Sequence, residues 1–182
     1  MRSMSWKCLT HGARATLSAS NVNPPSIGKR TVLFKKILTV CTGNICRSPA
    51  AEYLLRQRLV EATHWQGTVH SAGIGALVDH PADESTQALM QAQGIDLDPH
   101  RARQLTLEIL RDADLVLVME KHHRQAVLDL DPAARGKTFL LGHWRNCEIA
   151  DPYRRGREAH AESLRLIELA VESWLSKLGR SR

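Results

Sequence analysis

Ile37-Leu38-Thr39-Val40-Cys41-Thr42-Gly43-Asn44-Ile45-Cys46-Arg47-Ser48-Pro49 reads as a strand, a tight loop and the opening of a helix. Ile37 to Val40 is a short β-rich run. Thr42-Gly43-Asn44 is turn chemistry, and Gly43 and Asn44 are the residues best suited to left-handed backbone. Ser48-Pro49 reads as an N-cap followed by a first-turn proline. Beyond it Ala51, Leu54, Leu55 and Leu59 recur at helical spacing.

The same alternation continues downstream. Thr68-Val69-His70 predicts a second strand, and a helix over 83–92 is stopped by Gly94. A short helix at 106–111 leads into a strand at 114–119. Another helix covers 121–130 and ends before Pro132, a fourth strand spans 137–141, and a long helix runs over 158–178. Strands alternating with helices predict a three-layer α/β fold, with a four-stranded parallel sheet flanked by helices and a phosphate-binding loop after the first strand. Ligands of such sheets bind at the carboxyl ends of the strands, so chemistry is expected in the loop from 41.

A chain of 182 residues with 43% hydrophobic content supports one sizeable core. Residues 34–182 are expected to form the working domain. Residues 1–33 read as a disordered N-terminal extension or a mis-assigned start, with the true start near Val32 or Leu33. Their lack of acids also resembles a transit peptide. The net charge of +6 is local. Seven of the 25 Lys and Arg lie in residues 1–36, which hold no Asp or Glu, leaving 18 basic residues against all 19 acidic ones. Aromatics are 4% of the chain and no basic stripe is interleaved with them, so no nucleic-acid partner is expected. Apolar runs are strand-sized, far below the roughly 20 residues of a membrane span, and no membrane insertion is expected. Cys8, Cys41, Cys46 and Cys147 are too irregular for a disulfide framework, which points to a reducing, cytoplasmic setting. Their spacing offers no zinc pair, so neither metal nor cofactor is expected.

The 41–49 loop can wrap an anion. Successive backbone N–H groups and a helix N-terminus favour the oxygens of a phosphate. The same field favours the thiolate of Cys41, to which Ser48 can donate. Arg47 offers a planar fork to two phosphate oxygens. A strand-end cysteine by itself usually only packs. The packing reading is far weaker once Gly43, Asn44, Arg47, Ser48 and Pro49 stand in one loop, since no packing rule asks for that set. A Walker loop is excluded because it requires Gly-Lys-Ser/Thr. A proton donor is also needed. Asp151, in Asp151-Pro152-Tyr153 after the fourth strand, is the candidate, with Tyr153 offering a ring to an aromatic substrate. Asp131-Pro132 reads as a turn only.

At these residues the chain resembles the low-molecular-weight protein tyrosine phosphatases. Their Val-Cys-x-Gly-Asn-x-Cys-Arg-Ser-Pro loop is matched by Val40 to Pro49, and their late Asp-Pro-Tyr by residues 151–153. The resemblance covers about 34–178. It implies that Cys41 is the nucleophile, Arg47 the phosphoryl binder and Asp151 the general acid and then base. Thr42, Gly43, Asn44, Ile45, Cys46, Ser48 and Tyr153 would bind substrate, and Asn44, Ser48, Ser71 and His100 would brace the loop. Leu141-Gly142-His143-Trp144 and Cys147-Glu148-Ile149 resemble the bacterial branch, which acts with tyrosine autokinases controlling capsule or exopolysaccharide export. The expected function is therefore hydrolysis of a phosphotyrosine protein, a tyrosine autokinase, through a phosphocysteine intermediate. Leu77 and Arg154 stand where eukaryotic members carry aromatics, and such a rim suits an acidic, tyrosine-rich tail.

Three other readings compete with this one. Arsenate reductases of this fold need closely spaced further cysteines, and residues 48–146 contain none. Protein-arginine phosphatases tend to carry Thr at the position of Ile45, whose apolar side chain favours a phenyl ring over a guanidinium. A non-catalytic phosphate-binding module would not need Cys41, Arg47 and Asp151 together. Cys46 is either a partner that traps oxidised Cys41 as a disulfide or a packing residue.

Overall fold

The computed structural model describes residues 34–63 and 65–178, so the reading of residues 1–33 lies outside the described residues. The element order is β1 (Lys36–Cys41), α1 (Arg47–Thr63), β2 (Thr68–Gly73), α2 (Glu84–Gln91), α3 (Leu107–Asp112), β3 (Leu115–Val118), α4 (Lys121–Leu130), β4 (Thr138–Leu140) and α5 (Gly156–Leu178). Short 3-10 turns lie at Pro132–Lys137 and His143–Arg145. All strands pair in parallel, in the order β2-β1-β3-β4. The expected α/β sheet is present, with each strand and helix within a few residues of its predicted place.

Local chemistry explains the boundaries. Asp83 caps α2 by accepting from the Ser85 N–H at 2.9 Å, and Gly94 ends that segment at φ 77°. Thr106 caps α3 through the Ile109 N–H. Asp131 accepts from the Ala133 N–H and pairs with Arg111, the structural role expected for it. One expectation is corrected. The first helix begins at Arg47, so Ser48 and Pro49 lie inside its first turn, and the Ser48 hydroxyl is turned to the loop instead of capping.

Alternation along β1 divides the core between the two sheet faces. Ile37 and Cys41 pack with Leu54, Leu55 and Leu59 of α1, Met90 of α2, and Ile167, Val171 and Trp174 of α5. Leu38 and Val40 pack with Leu110 of α3, Val127 of α4, and Val116 and Val118 of β3. β3 is buried along its whole length, as a continuous apolar run in a doubly covered sheet should be. The chain leaves central β1 for β2 on one side and then crosses to β3 on the other. The loop after β1 therefore sits at the switch point, where strand ends leave a crevice. Among the described residues no helix is long and apolar enough to cross a membrane.

Candidate active site

Between Cys41 and Cys46 six successive carbonyls point away from the centre of the loop, and each is satisfied from outside. Ile74 N–H donates to Cys41 O (3.0 Å), Gly75 N–H to Thr42 O (3.1 Å) and Leu77 N–H to Gly43 O (3.1 Å). The His100 ring donates to Asn44 O (2.7 Å), Asp83 N–H to Ile45 O (2.8 Å) and Ala50 N–H to Cys46 O (3.4 Å). In a trans peptide the N–H opposes the preceding carbonyl. With the carbonyls of 41–46 outward, the amides of 42–47 face inward, forming an anion nest at a helix N-terminus. Its lower end holds the Cys41 sulfur, which is in contact with the Asn44 N–H at 3.3 Å and the Ser48 hydroxyl at 3.0 Å.

Asn44 supplies the bend. It adopts φ 55°, the left-handed conformation that asparagine tolerates, and it is fully buried. Its side chain donates to Ser48 Oγ (2.9 Å) and Ser71 Oγ (2.8 Å) and accepts from the Arg103 N–H (2.8 Å). Ser71 in turn donates to Glu52 at 2.6 Å, and Thr39 Oγ1 donates to Ser48 O at 2.8 Å. Burial lowers the His100 pKa, and the ring's bond to Asn44 O opposes that shift. Gly43 is not left-handed, contrary to expectation. A Cβ added there would meet only Ile45, at 3.5 Å, so backbone strain does not explain the glycine. Close approach matters instead at Gly73, where an added Cβ would lie 2.4 Å from Thr42 O.

Arg47 is 2% exposed and spans the nest and the later loop. It pairs with Glu120, donates to Ile149 O at 2.9 Å and meets Asp151 at 2.7 Å. Its Nε is buried without a hydrogen-bond partner among the described residues. A buried, unsatisfied donor beside inward amides fits a bound anion. Asp151 is exposed enough to meet solvent, and it accepts from the Tyr153 N–H at 3.1 Å.

Cys41, Thr42, Gly43, Ile45, Cys46, Arg47, Asp151 and Tyr153 all border one cavity of about 160 Å³, together with Gly75 and Leu77. Asn44, Ser48, Ser71 and His100 lie in the network beneath it. Cys46 is buried, and its thiol pKa is pushed well above the usual thiol range, first by burial and then by Asp83. A thiol so held is a slow attacker, which favours the packing reading over the disulfide trap.

Sequence reasoning missed Glu120, His123, Glu52, Thr39 and Arg103. Glu120 was the most accessible of these, being a carboxylate at the carboxyl end of an apolar strand. His123 is fully buried and accepts from the Glu120 N–H at Nδ1 (3.1 Å), which leaves the proton on Nε2 to donate to Thr42 Oγ1 at 2.9 Å.

A family model for the low molecular weight phosphotyrosine protein phosphatases matches residues 36–182. The chain is 46% identical over 141 residues to the low molecular weight protein-tyrosine-phosphatase Ptp of Acinetobacter johnsonii, covering 78% of this chain and 96% of that one. The crystal structure of the tyrosine phosphatase AmsI of Erwinia amylovora superimposes with a TM-score of 0.76 at 43% identity, covering 81% and 95% of the two chains. The tyrosine phosphatase Wzb of Escherichia coli K30, solved in complex with sulphate, superimposes with a TM-score of 0.75 at 47% identity, covering 81% and 100%.

Proposed function

The chain belongs to the low molecular weight phosphotyrosine protein phosphatase family and is a protein-tyrosine phosphatase, and from that premise we propose that residues 34–182 form its phosphatase domain and that it works through a phosphocysteine on Cys41. The Cys41 thiolate attacks phosphorus in line, forming the S–P bond as the P–O bond to the tyrosine breaks. Asp151 gives its proton to the leaving oxygen. Asp151 then takes a proton from water as that water attacks phosphorus, and phosphate and the thiolate are released.

Inward amides and the Arg47 guanidinium neutralise the charge spread over the transferring oxygens. A phosphoryl dianion also competes with Asp151 for Arg47, so substrate entry frees the carboxyl group to turn toward the leaving oxygen. Glu120 and Ile149 O keep the guanidinium in place when that happens. The sulphate held by the K30 relative, a tetrahedral dianion, agrees with such a cradle. The observation that carries the reading is the buried, unpartnered Arg47 Nε beside a ring of inward amides with a sulfur at its foot.

Ile45, Leu77 and Tyr153 give the cavity an apolar upper wall, which fits a phenyl ring and offers a guanidinium no partner. That supports phosphotyrosine over phosphoarginine. The physiological substrate we propose is a tyrosine autokinase of an exopolysaccharide export system, whose acidic, tyrosine-rich tail would meet the cationic rim at Arg154. The decisive experiment is rapid acid quenching of turnover with a phosphotyrosine peptide, followed by mass spectrometry. Phosphate on Cys41 is expected. Steady turnover with no phosphate on that residue, or sustained activity of Cys41→Ser, would overturn the mechanism.

A further inference from the structure

The nest has a second side, reached through Cys46, which borders both the substrate cavity and a smaller pocket behind it, and there three side chains from distant parts of the chain meet. Cys46 closes the loop just before α1, Asp83 caps α2, and His160 lies near the start of α5. One donor atom from each, a sulfur, a carboxylate oxygen and an imidazole nitrogen, lies within 4.8 Å of the other two. Asp83 Oδ1 and His160 Nδ1 are 3.6 Å apart, against about 3.3 Å between nitrogen and oxygen donors on a tetrahedral zinc.

Beside them is a small pocket of about 10 Å³, lined in part by Cys46, Thr86, Pro152, His160 and Ser163. That is room for one water or one ion. Ser163 is 5% exposed, and its hydroxyl has no hydrogen-bond partner among the described residues. Nothing in the phosphatase chemistry uses Asp83, His160 or Ser163. Local cysteine spacing offers no zinc pair, but the packing of α2 and α5 against the loop builds a ligand set that spacing cannot reveal. The other cluster of this kind, Glu120 with His122 and His123, is already committed. Glu120 is the ion-pair partner of the phosphoryl-binding Arg47, and both ring nitrogens of His123 are hydrogen-bonded. In the Cys46 cluster Asp83 Oδ1 also caps α2 and His160 Nδ1 lies 3.0 Å from Thr86 Oγ1, contacts that a bound ion would share or displace.

We propose that Cys46, Asp83 and His160 bind a zinc ion behind the phosphate loop, with Thr86, Ser163 or a water completing the shell. A soft sulfur with an imidazole and one carboxylate selects zinc over magnesium or calcium. Binding forms the S–Zn bond and releases the thiol proton to solvent, with no change of oxidation state. The ion ties the end of the nest to α2 and α5, and Pro152 brings the Asp151 segment to the same cavity. Occupancy therefore lowers turnover without competing for the phosphate position.

The test uses the full chain titrated with cobalt(II) as a spectroscopic stand-in, and with zinc against a chromophoric chelator. A thiolate-to-cobalt charge-transfer band is expected in wild type and in Cys41→Ser. In His160→Ala and in the size-conserving His160→Gln the affinity should fall by at least about 100-fold, since losing a ligand costs no less than disturbing the partners that orient one. Metal-free turnover of both His160 variants should match wild type, and their inhibition by zinc should weaken in parallel with affinity. No band in wild type, or a band lost in Cys41→Ser but kept in the His160 variants, would place the metal elsewhere and overturn the proposal. The band requires no turnover, so its failure is distinguishable from failure of the phosphocysteine mechanism.

Discussion

The loop 41–48 and the segment 150–154 form two walls of one cavity, yet they are built in opposite ways. In the first, each carbonyl from 41 to 46 has an acceptor role, and Asn44 is locked by three side-chain bonds and a fourth at its carbonyl. In the second, Asp151 and Tyr153 are each about 40% exposed, Arg154 lies over the Tyr153 ring, and the bonds are short-range except for the pair with Arg47. Charge stabilisation works by dipoles fixed in advance, whereas a group that serves first a leaving oxygen and then a water must reach both. Rigidity is concentrated where the anion rests, and access where the proton moves.

The sharpest way to break that division is Asp151→Asn, which leaves the nest intact and removes the proton. Turnover of phosphotyrosine should fall about 1000-fold, within the range for general acid–base groups. An aryl phosphate with an acidic phenol should lose far less, because its leaving group needs no proton. Equal losses on both substrates, measured by steady-state kcat, would mean that Asp151 serves binding rather than proton transfer.

The other wall is tested by stability. Asn44→Ala strands the Arg103 N–H, removes the amide that donates to the Ser48 and Ser71 hydroxyls and puts alanine at positive φ, so urea denaturation should show a loss of about 2–3 kcal/mol. Tyr153→Ala should stay within about 0.5 kcal/mol of wild type, as exposed positions do. Comparable losses at both sites would contradict the contrast. A smaller effect is expected at the rim. Arg154→Glu should lower kcat/KM for an acidic tyrosine-rich phosphopeptide by about tenfold through charge repulsion. It should spare a small aryl phosphate, and equal effects on the two would remove the autokinase-tail reading.

What was legible in the sequence was local. β1, the capped α2 and its Gly94 stop announce themselves by pattern and by residues with one strong conformational use. The loop stood out because Cys41, Arg47, Ser48 and Pro49 occur in one short stretch. Partners supplied by the sheet's return were not legible. Glu120 and Ile149 O reach Arg47 only because β3 and the chain after β4 end beside β1, and Glu52 meets Ser71 only through the packing of α1 on β2. The error at Ser48 has the same origin. A serine before proline reads as a cap, but here its hydroxyl is drawn inward by Cys41 and Asn44.

His123 belongs to the rigid wall by its bond to Thr42, and it gives the smallest and most specific prediction. Burial, followed by His122 and Arg47, pushes its pKa from 6.5 down to about 3. Between those values the unfolded chain binds a proton that the native ring refuses, so stability falls as pH drops below about 6.5 and is flat above it. Lowered His100 acts in the same direction. Glutamine can accept from the Glu120 N–H and donate to Thr42 without titrating. His123→Gln should therefore keep the neutral-pH stability nearly unchanged and flatten the decline between pH 7 and 6 by about 0.7 kcal/mol. Parallel curves for the two proteins in denaturant titrations would mean that His123 accepts its proton without leaving the Thr42 contact. The hydrogen bonds behind the nest would then tolerate a charge that its buried position argues against.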